Sequence, residues 1–143
     1  MAFDINNPYF RTKVLTASPE ELRLMLIDGC VRFLADGRAA LEAKNFEKVY
    51  EHFTNARNIL VELTTSLRRD VDPALCDKLE AIYTYVLRLT VDGSFDKDLK
   101  KIDEAIQLME YDRQTWTLLL DKLASEKANA AASAEYTPIS VQG

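Results

Sequence analysis

Apolar positions recur at helical spacing through most of this chain, from residue 18 until the pattern fades near residue 125. Ser18-Pro19-Glu20-Glu21-Leu22 reads as a helix start. Ser18 supplies an N-cap hydroxyl, Pro19 occupies the first helical position where its missing N–H costs nothing, and Glu21 stands where it can reach back to the cap. In the helix predicted over residues 19–43, Leu22, Leu26, Cys30, Phe33, Gly37 and Ala40 step by threes and fours and make one stripe. Leu24, Ile27 and Val31, turned by about 100° per residue, point well away from it. A helix on the surface of a bundle needs only one stripe facing the core. This helix is therefore either the most buried of the set or the wall of a groove that receives a partner, and the spacing admits both.

The next segment, residues 46–68, carries Val49, Phe53, Ala56, Leu60, Leu63 and Leu67 in alternating steps of four and three, with Asn45 expected as the left-handed residue between the two helices. Asp72 then caps a third helix that Pro73 opens, with Leu75, Leu79, Ile82, Val86 and Leu89 as its seam. Tyr83 and Leu87 flank that seam on one side and Tyr85 on the other. Asp92-Gly93-Ser94 is predicted as a turn and Asp96 as the cap of a fourth helix over residues 97–124. Its seam is Leu99, Ile102, Ile106, Met109, Trp116, Leu120 and Leu123, with Arg113 where one more apolar residue would fall and Trp116 expected to pack in the core.

Before residue 18, Phe3, Ile5, Tyr9, Phe10, Val14 and Leu15 show no helical spacing, and Asn6-Asn7-Pro8 is a turn signal. So apolar a terminus is expected to dock onto something. After Ser125 the composition shifts to Ala, Ser, Asn and Glu, and disorder is expected. The fold class that follows is all-α: an antiparallel four-helix bundle over residues 18–124, an N-terminal extended arm over residues 1–17 and a disordered tail over residues 125–143.

Charge narrows the range of partners. A net charge of −5 and a pI near 4.9 argue against nucleic acid and against an anionic membrane surface, both of which select a basic stripe. Asp28 and Arg32 interrupt the most apolar region, so no membrane insertion is expected. Residues 1–10 lack a basic stretch followed by an apolar run, and Cys30 and Cys76 read as reduced, buried thiols; a cytoplasmic location is the expectation.

Candidate chemistry is sparse. His52 is the single histidine, so a di-metal bundle built on paired Glu-x-x-His motifs fails, and neither cysteine has a metal-ligand neighbour. The glycines stand alone and form no phosphate loop. A histidine phosphotransfer bundle would also present one histidine on a helix, which keeps His52 as the alternative; its place at the edge of an apolar seam favours a structural role. No cofactor is expected, and a non-enzyme is the reading.

Asn7-Pro8-Tyr9, Val14, Thr16-Ala17-Ser18-Pro19-Glu20-Glu21-Leu22 and Met25-Leu26-Ile27-Asp28-Gly29 together resemble the flagellar export chaperone FliS family. The likeness continues through Arg32-Phe33-Leu34, Leu79-Glu80-Ala81-Ile82-Tyr83-Thr84-Tyr85 with Arg88-Leu89, and Arg113 with Trp116. Ile27 stands where the family typically has Tyr. The resemblance implies a cytosolic chaperone that binds the C-terminal segment of flagellin, prevents premature polymerisation and delivers it to the flagellar export apparatus for type III secretion. On that reading Ile5, Tyr9, Phe10 and Val14 form a placeholder arm over a groove lined by Leu24, Ile27 and Val31, which the client enters by displacing the arm. A homodimer formed through spare apolar surface is the remaining option.

Overall fold

The computed structural model describes residues 6–135, which form five helices: α1 (Pro8–Thr16), α2 (Pro19–Glu42), α3 (Phe46–Thr65), α4 (Pro73–Asp96) and α5 (Leu99–Glu135). α2 packs on α3 and α5, α3 on α4, and α4 on α5. This closed ring with short connections is an up-and-down four-helix bundle. α1 makes no comparable contact with any of the four.

The predicted caps act where expected at two starts. Ser18 Oγ accepts from Glu21 N–H at 3.1 Å, and Asp72 accepts from Leu75 N–H at 3.1 Å. The same chemistry overturns the extended arm. Asn7 accepts from Tyr9 N–H at 2.9 Å with Pro8 at the first helical position, so the pair read as a turn is a cap followed by an N1 proline.

Three further boundaries differ from the sequence reading. Lys44, at φ 60°, takes the left-handed position after α2, while Asn45 caps α3. α4 continues through Asp92-Gly93-Ser94 to Asp96; Lys97, at φ 55°, makes the turn and Asp98 caps α5 by accepting from Lys100 N–H at 2.9 Å. The reason lies at Gly93. A Cβ there would sit 2.6 Å from Ile102 Cδ1, so the glycine serves the close approach of α4 and α5 and not a turn. Finally, α5 runs on through the alanines to Glu135, into the tail that was expected to be disordered, and residues 136–143 of that tail lie outside the described residues; Ala-rich sequence supports a helix without tertiary contacts. From residue 121 onward the described side chains of α5 are all exposed, so this last stretch projects beyond the bundle.

The core contains Ile27, Cys30, Leu34, Phe53, Ala56, Leu60, Leu63, Tyr83, Val86, Ile102, Ala105 and Met109. On α3 the predicted seam is the buried one; in the first half of α5 Ile102 and Met109 are buried together with Ala105, while Leu99 and Ile106 are half-buried. On α2 and α4 the buried arc takes in side chains expected outside it, Ile27 and Tyr83.

Candidate functional site

α4 offers two seams. The wholly aliphatic one, Leu75, Leu79, Ile82, Val86 and Leu89, was expected in the core. The structure instead buries Cys76, Tyr83, Val86, Thr90 and Gly93 together with Leu89. Leu79 stays half-buried, while Leu75 and Ile82 are exposed on the rim facing α5. Tyr83, expected at the flank, is 1% exposed.

The hydroxyl of Tyr83 explains how so polar a seam can be buried. It donates to Asp112 of α5 at 2.8 Å and accepts from Arg23 Nη2 of α2 at 3.1 Å. Arg23 also donates to the Leu63 carbonyl at 3.1 Å and to Ser66 Oγ at 3.4 Å, both at the end of α3. Its guanidinium lies 5.6 Å from the Tyr83 ring centre and 5.3 Å from that of Trp116, within cation–π range of both. One guanidinium therefore ties together all four helices of the bundle. Trp116, expected in the core, is half-buried and covers this group.

The electrostatics follow from burial. Desolvation pushes the Asp112 carboxyl above the usual range, opposed by the Tyr83 hydrogen bond, the Arg23 charge and Trp116. Burial and the neighbouring Asp112 raise the Tyr83 phenol well above its ordinary value, and push the Cys30 thiol up to about 12. A thiol so protonated is not a nucleophile.

Outside this polar centre lies the apolar surface. α4 and α5 run antiparallel with Tyr83 beside Asp112, which sets Leu75 and Ile82 along the same seam as Leu119 and Leu123 of α5, with Leu118 at its outer edge. These five are between 38% (Ile82) and 71% (Leu118) exposed. Val71, just before α4, adds an exposed side chain at the same end. Isolated exposed aliphatics are ordinary, but a row of them along one seam marks an interaction surface.

The residues expected to bind a partner are scattered. Ile27 is 0% exposed, so it belongs to the core and not to an open groove wall; the buried arc of α2 is centred near Gly37 and Cys30, and Ile27 falls at its edge. Leu24 and Val31 are half-buried on the α5 side of α2, the side where Asp28 lies close enough to act on Arg113. Tyr9 is 77% exposed, Phe10 and Val14 are half-buried, and Ile5 lies outside the described residues. Sequence reasoning missed Leu118 and Leu119, and it placed Leu75, Ile82 and Leu123 in the core. Spacing carried no signal for the exposure of Leu75 and Ile82, whose helix angles fall among those of buried Val86, Leu89 and Gly93. His52 is half-buried, stacks on Phe33 at 6.4 Å between ring centres, and has its Nδ1 sealed from solvent, an environment that suits a structural role at the edge of the α3 seam. Among the described residues no group of His, Cys, Asp and Glu could hold a metal, and no helix is long and apolar enough to cross a membrane.

Comparison with known proteins agrees with this architecture. The family model described as "Flagellar protein FliS" matches residues 1–123. The chain is 32% identical over 115 residues to the flagellar secretion chaperone FliS of Bacillus subtilis, covering 78% of this chain and 85% of that protein. It is 25% identical over 116 residues to the protein of the same name from Salmonella typhimurium, covering 80% and 86%. With the Vibrio cholerae protein of that name it shares 21% identity over 122 residues, covering 85% and 87%.

Proposed function

This chain belongs to the FliS family of flagellar secretion chaperones, and from that premise we propose that it sequesters the C-terminal segment of flagellin on the α4–α5 face. The observation that carries the reading is the row Leu75, Ile82, Leu119 and Leu123, with Leu118 beside it: aliphatic surface on well-packed helices that the bundle itself leaves unburied. A filament subunit whose terminal segment is amphipathic buries that face by self-association. An apolar seam between two helices can bury it first, by helix-in-groove recognition. The segment loses conformational freedom on binding, which lets a specific complex remain releasable at the export apparatus. The action is binding without turnover, in the cytoplasm before secretion.

The N-terminal segment has the movable part in this proposal. Tyr9 exposes most of its ring and so contributes little to anchoring α1, and α1 stands outside the packed ring. Phe10 and Val14 cover bundle surface until the client arrives, and Leu24 and Val31 extend the contact across the other flank of α5.

Titration calorimetry with a synthetic peptide of flagellin's C-terminal segment tests this. Ile82→Asp and Leu119→Asp each weaken binding at least tenfold, Tyr9→Ala weakens it with folding unchanged, and Tyr50→Asp on the outer face of α3 leaves it intact. Peptide binding by Ile82→Asp and Leu119→Asp as tight as the parent's refutes the α4–α5 assignment. Light scattering with and without peptide separates client binding from a homodimer formed through the same surface.

A further inference from the structure

Two stripes run side by side on the outer face of α3 and α4, away from the α4–α5 seam. On α3, Phe46, Tyr50, Thr54, Arg57 and Val61 step by four, four, three and four and fall within an arc of about 80°. On α4, Thr84, Arg88, Val91 and Phe95 step by four, three and four, within about 60°. Phe95 is 86% exposed and Tyr50 71%; Phe46, Val61 and Val91 are exposed as well. The contacts between the helices place the stripes together. Asp77, about five turns before Phe95 and at its helix angle, pairs with Arg69 just after α3, so this side of α4 lies within reach of α3. The Lys97 ammonium lies 4.7 Å from the Phe46 ring centre, and Arg23 Nη2 donates to both the Leu63 carbonyl and the Tyr83 hydroxyl. With Phe46 beside Lys97 and Leu63 beside Tyr83, antiparallel pairing sets Tyr50 level with Phe95, Thr54 with Val91, Arg57 with Arg88 and Val61 with Thr84.

We propose that this face is a second docking surface, separate from the client's, and that its occupant is an acidic amphipathic helix of another protein. The composition is that of a protein contact: tyrosine, phenylalanine and arginine are enriched there, carboxylates are depleted, and neither stripe contains one. Charge selects the occupant. Arg38, Arg68, Arg69 and Arg113 each hold a carboxylate of this chain. Arg57 instead donates to Thr54 Oγ1 at 3.1 Å, within its own stripe, and Arg88 joins none of the ion pairs among the described residues. Two guanidinium groups level with each other on neighbouring helices repel, in a chain whose net charge is −5. A carboxylate laid between them relieves that repulsion, and guanidinium holds carboxylate through paired N–H donors. Apolar side chains a turn or two to either side of that carboxylate then meet Tyr50 and Phe95 in one direction and Val61 in the other, the spacing an amphipathic helix supplies. Nucleic acid also uses arginine and aromatic contacts, but the net negative charge of this chain opposes a polyanion. The face and its charges are the same whether or not flagellin occupies the α4–α5 seam.

The test uses the full chain and two labelled synthetic helices of about five turns. They differ only in a central pair one turn apart, Glu in one and Lys in the other, set in a row of Leu and Phe. By fluorescence anisotropy the parent prefers the Glu peptide at least tenfold. Arg57→Glu with Arg88→Glu reverses the preference, and Phe95→Ser weakens the Glu peptide several-fold, with circular dichroism and urea midpoints checking that the variants fold. If the charge-reversed variant does not fold, Arg57→Gln with Arg88→Gln decides, by abolishing the preference. No preference in the parent, or one that survives in the folded arginine variants, overturns the proposal. Displacement of the Glu peptide by saturating flagellin C-terminal peptide gives this face to the client and overturns a separate site. A single-stranded oligonucleotide bound with the same arginine dependence overturns the protein occupant, and an arginine-dependent dimer in light scattering overturns it in favour of a second copy of this chain.

Discussion

Gly37 of α2 lies against the Phe53 ring of α3, and Gly37→Ala tests whether that approach is as tight as the structure shows. A Cβ at this position would stand 2.2 Å from Phe53 Cε1, 2.5 Å from Cδ1 and 2.9 Å from Cζ. Ordinary carbon contacts begin near ~3.5 Å, so the ring or a helix must move by more than about 1 Å. The Phe53 ring is rigid, nearly fully buried and enclosed by core neighbours, so the strain is shared between its rotamer and the helix separation. Overpacking of this kind costs about 1–3 kcal/mol. Against it stands the gain from replacing a mid-helix glycine by alanine, about 0.5–1 kcal/mol. The net expectation is a loss of about 1–2 kcal/mol, equivalent to roughly 3–8 °C in Tm for a chain of this size. Urea denaturation followed by circular dichroism measures it, with the midpoint falling and the slope unchanged. Phe53→Leu in the same chain removes the clash, so a double-mutant cycle gives a favourable coupling of about 1 kcal/mol or more. Gly37→Ala as stable as the parent, or strict additivity in the cycle, refutes the argument.

Asp112 makes stability depend on pH with an identifiable sign. Its folded pKa is raised by burial, so the folded state holds the proton more tightly than the unfolded chain, and the stability this contributes is lost as pH rises from the ordinary carboxylate range through the raised value. Urea midpoints between about pH 4 and pH 7 therefore fall for the parent relative to Asp112→Asn, which lacks the titration. Asp103, whose carboxyl Arg38 holds below its ordinary value, acts in the opposite direction and loses its contribution as pH falls; Asp103→Asn flattens that acid-side slope. The Cys30 thiol, buried and pushed up to about 12, stays unmodified by a thiol reagent in the native protein and reacts only on unfolding, which mass spectrometry of the labelled chain reads directly. Ending the chain after Ala124 removes the projecting part of α5; because its described side chains are exposed, the urea midpoint shifts by no more than about 0.5 kcal/mol in stability while helical ellipticity falls.

Much of this protein is local information. Ser18 with Pro19 and Asp72 with Pro73 mark helix starts because a cap needs only its own next turn. Asn7 with Pro8 obeys the same rule, and the helix α1 was legible there once the proline was read as an N1 residue. The 4–3 spacing on α3 located its buried side because that helix has one apolar stripe and no rival. The all-α class, the helix count of the bundle and the antiparallel order follow from such signals together with short connections.

What only the tertiary structure decided is which side chains are sealed on helices that carry more than one usable stripe. On α2, Leu24, Ile27 and Val31 read as a single outward set, yet packing between α3 and α5 sealed Ile27 inside and left the other two half-buried. On α4, Tyr83, expected at the flank, is buried because Arg23 and Asp112, distant in sequence, meet its hydroxyl there, whereas Leu75 and Ile82 stay exposed although their helix angles fall among those of buried Leu89 and Gly93. Periodicity reports that an apolar face exists. Which side chains along it are sealed depends on what the neighbouring helices cover and on whether buried polar atoms find partners, and both are settled only when the four helices assemble.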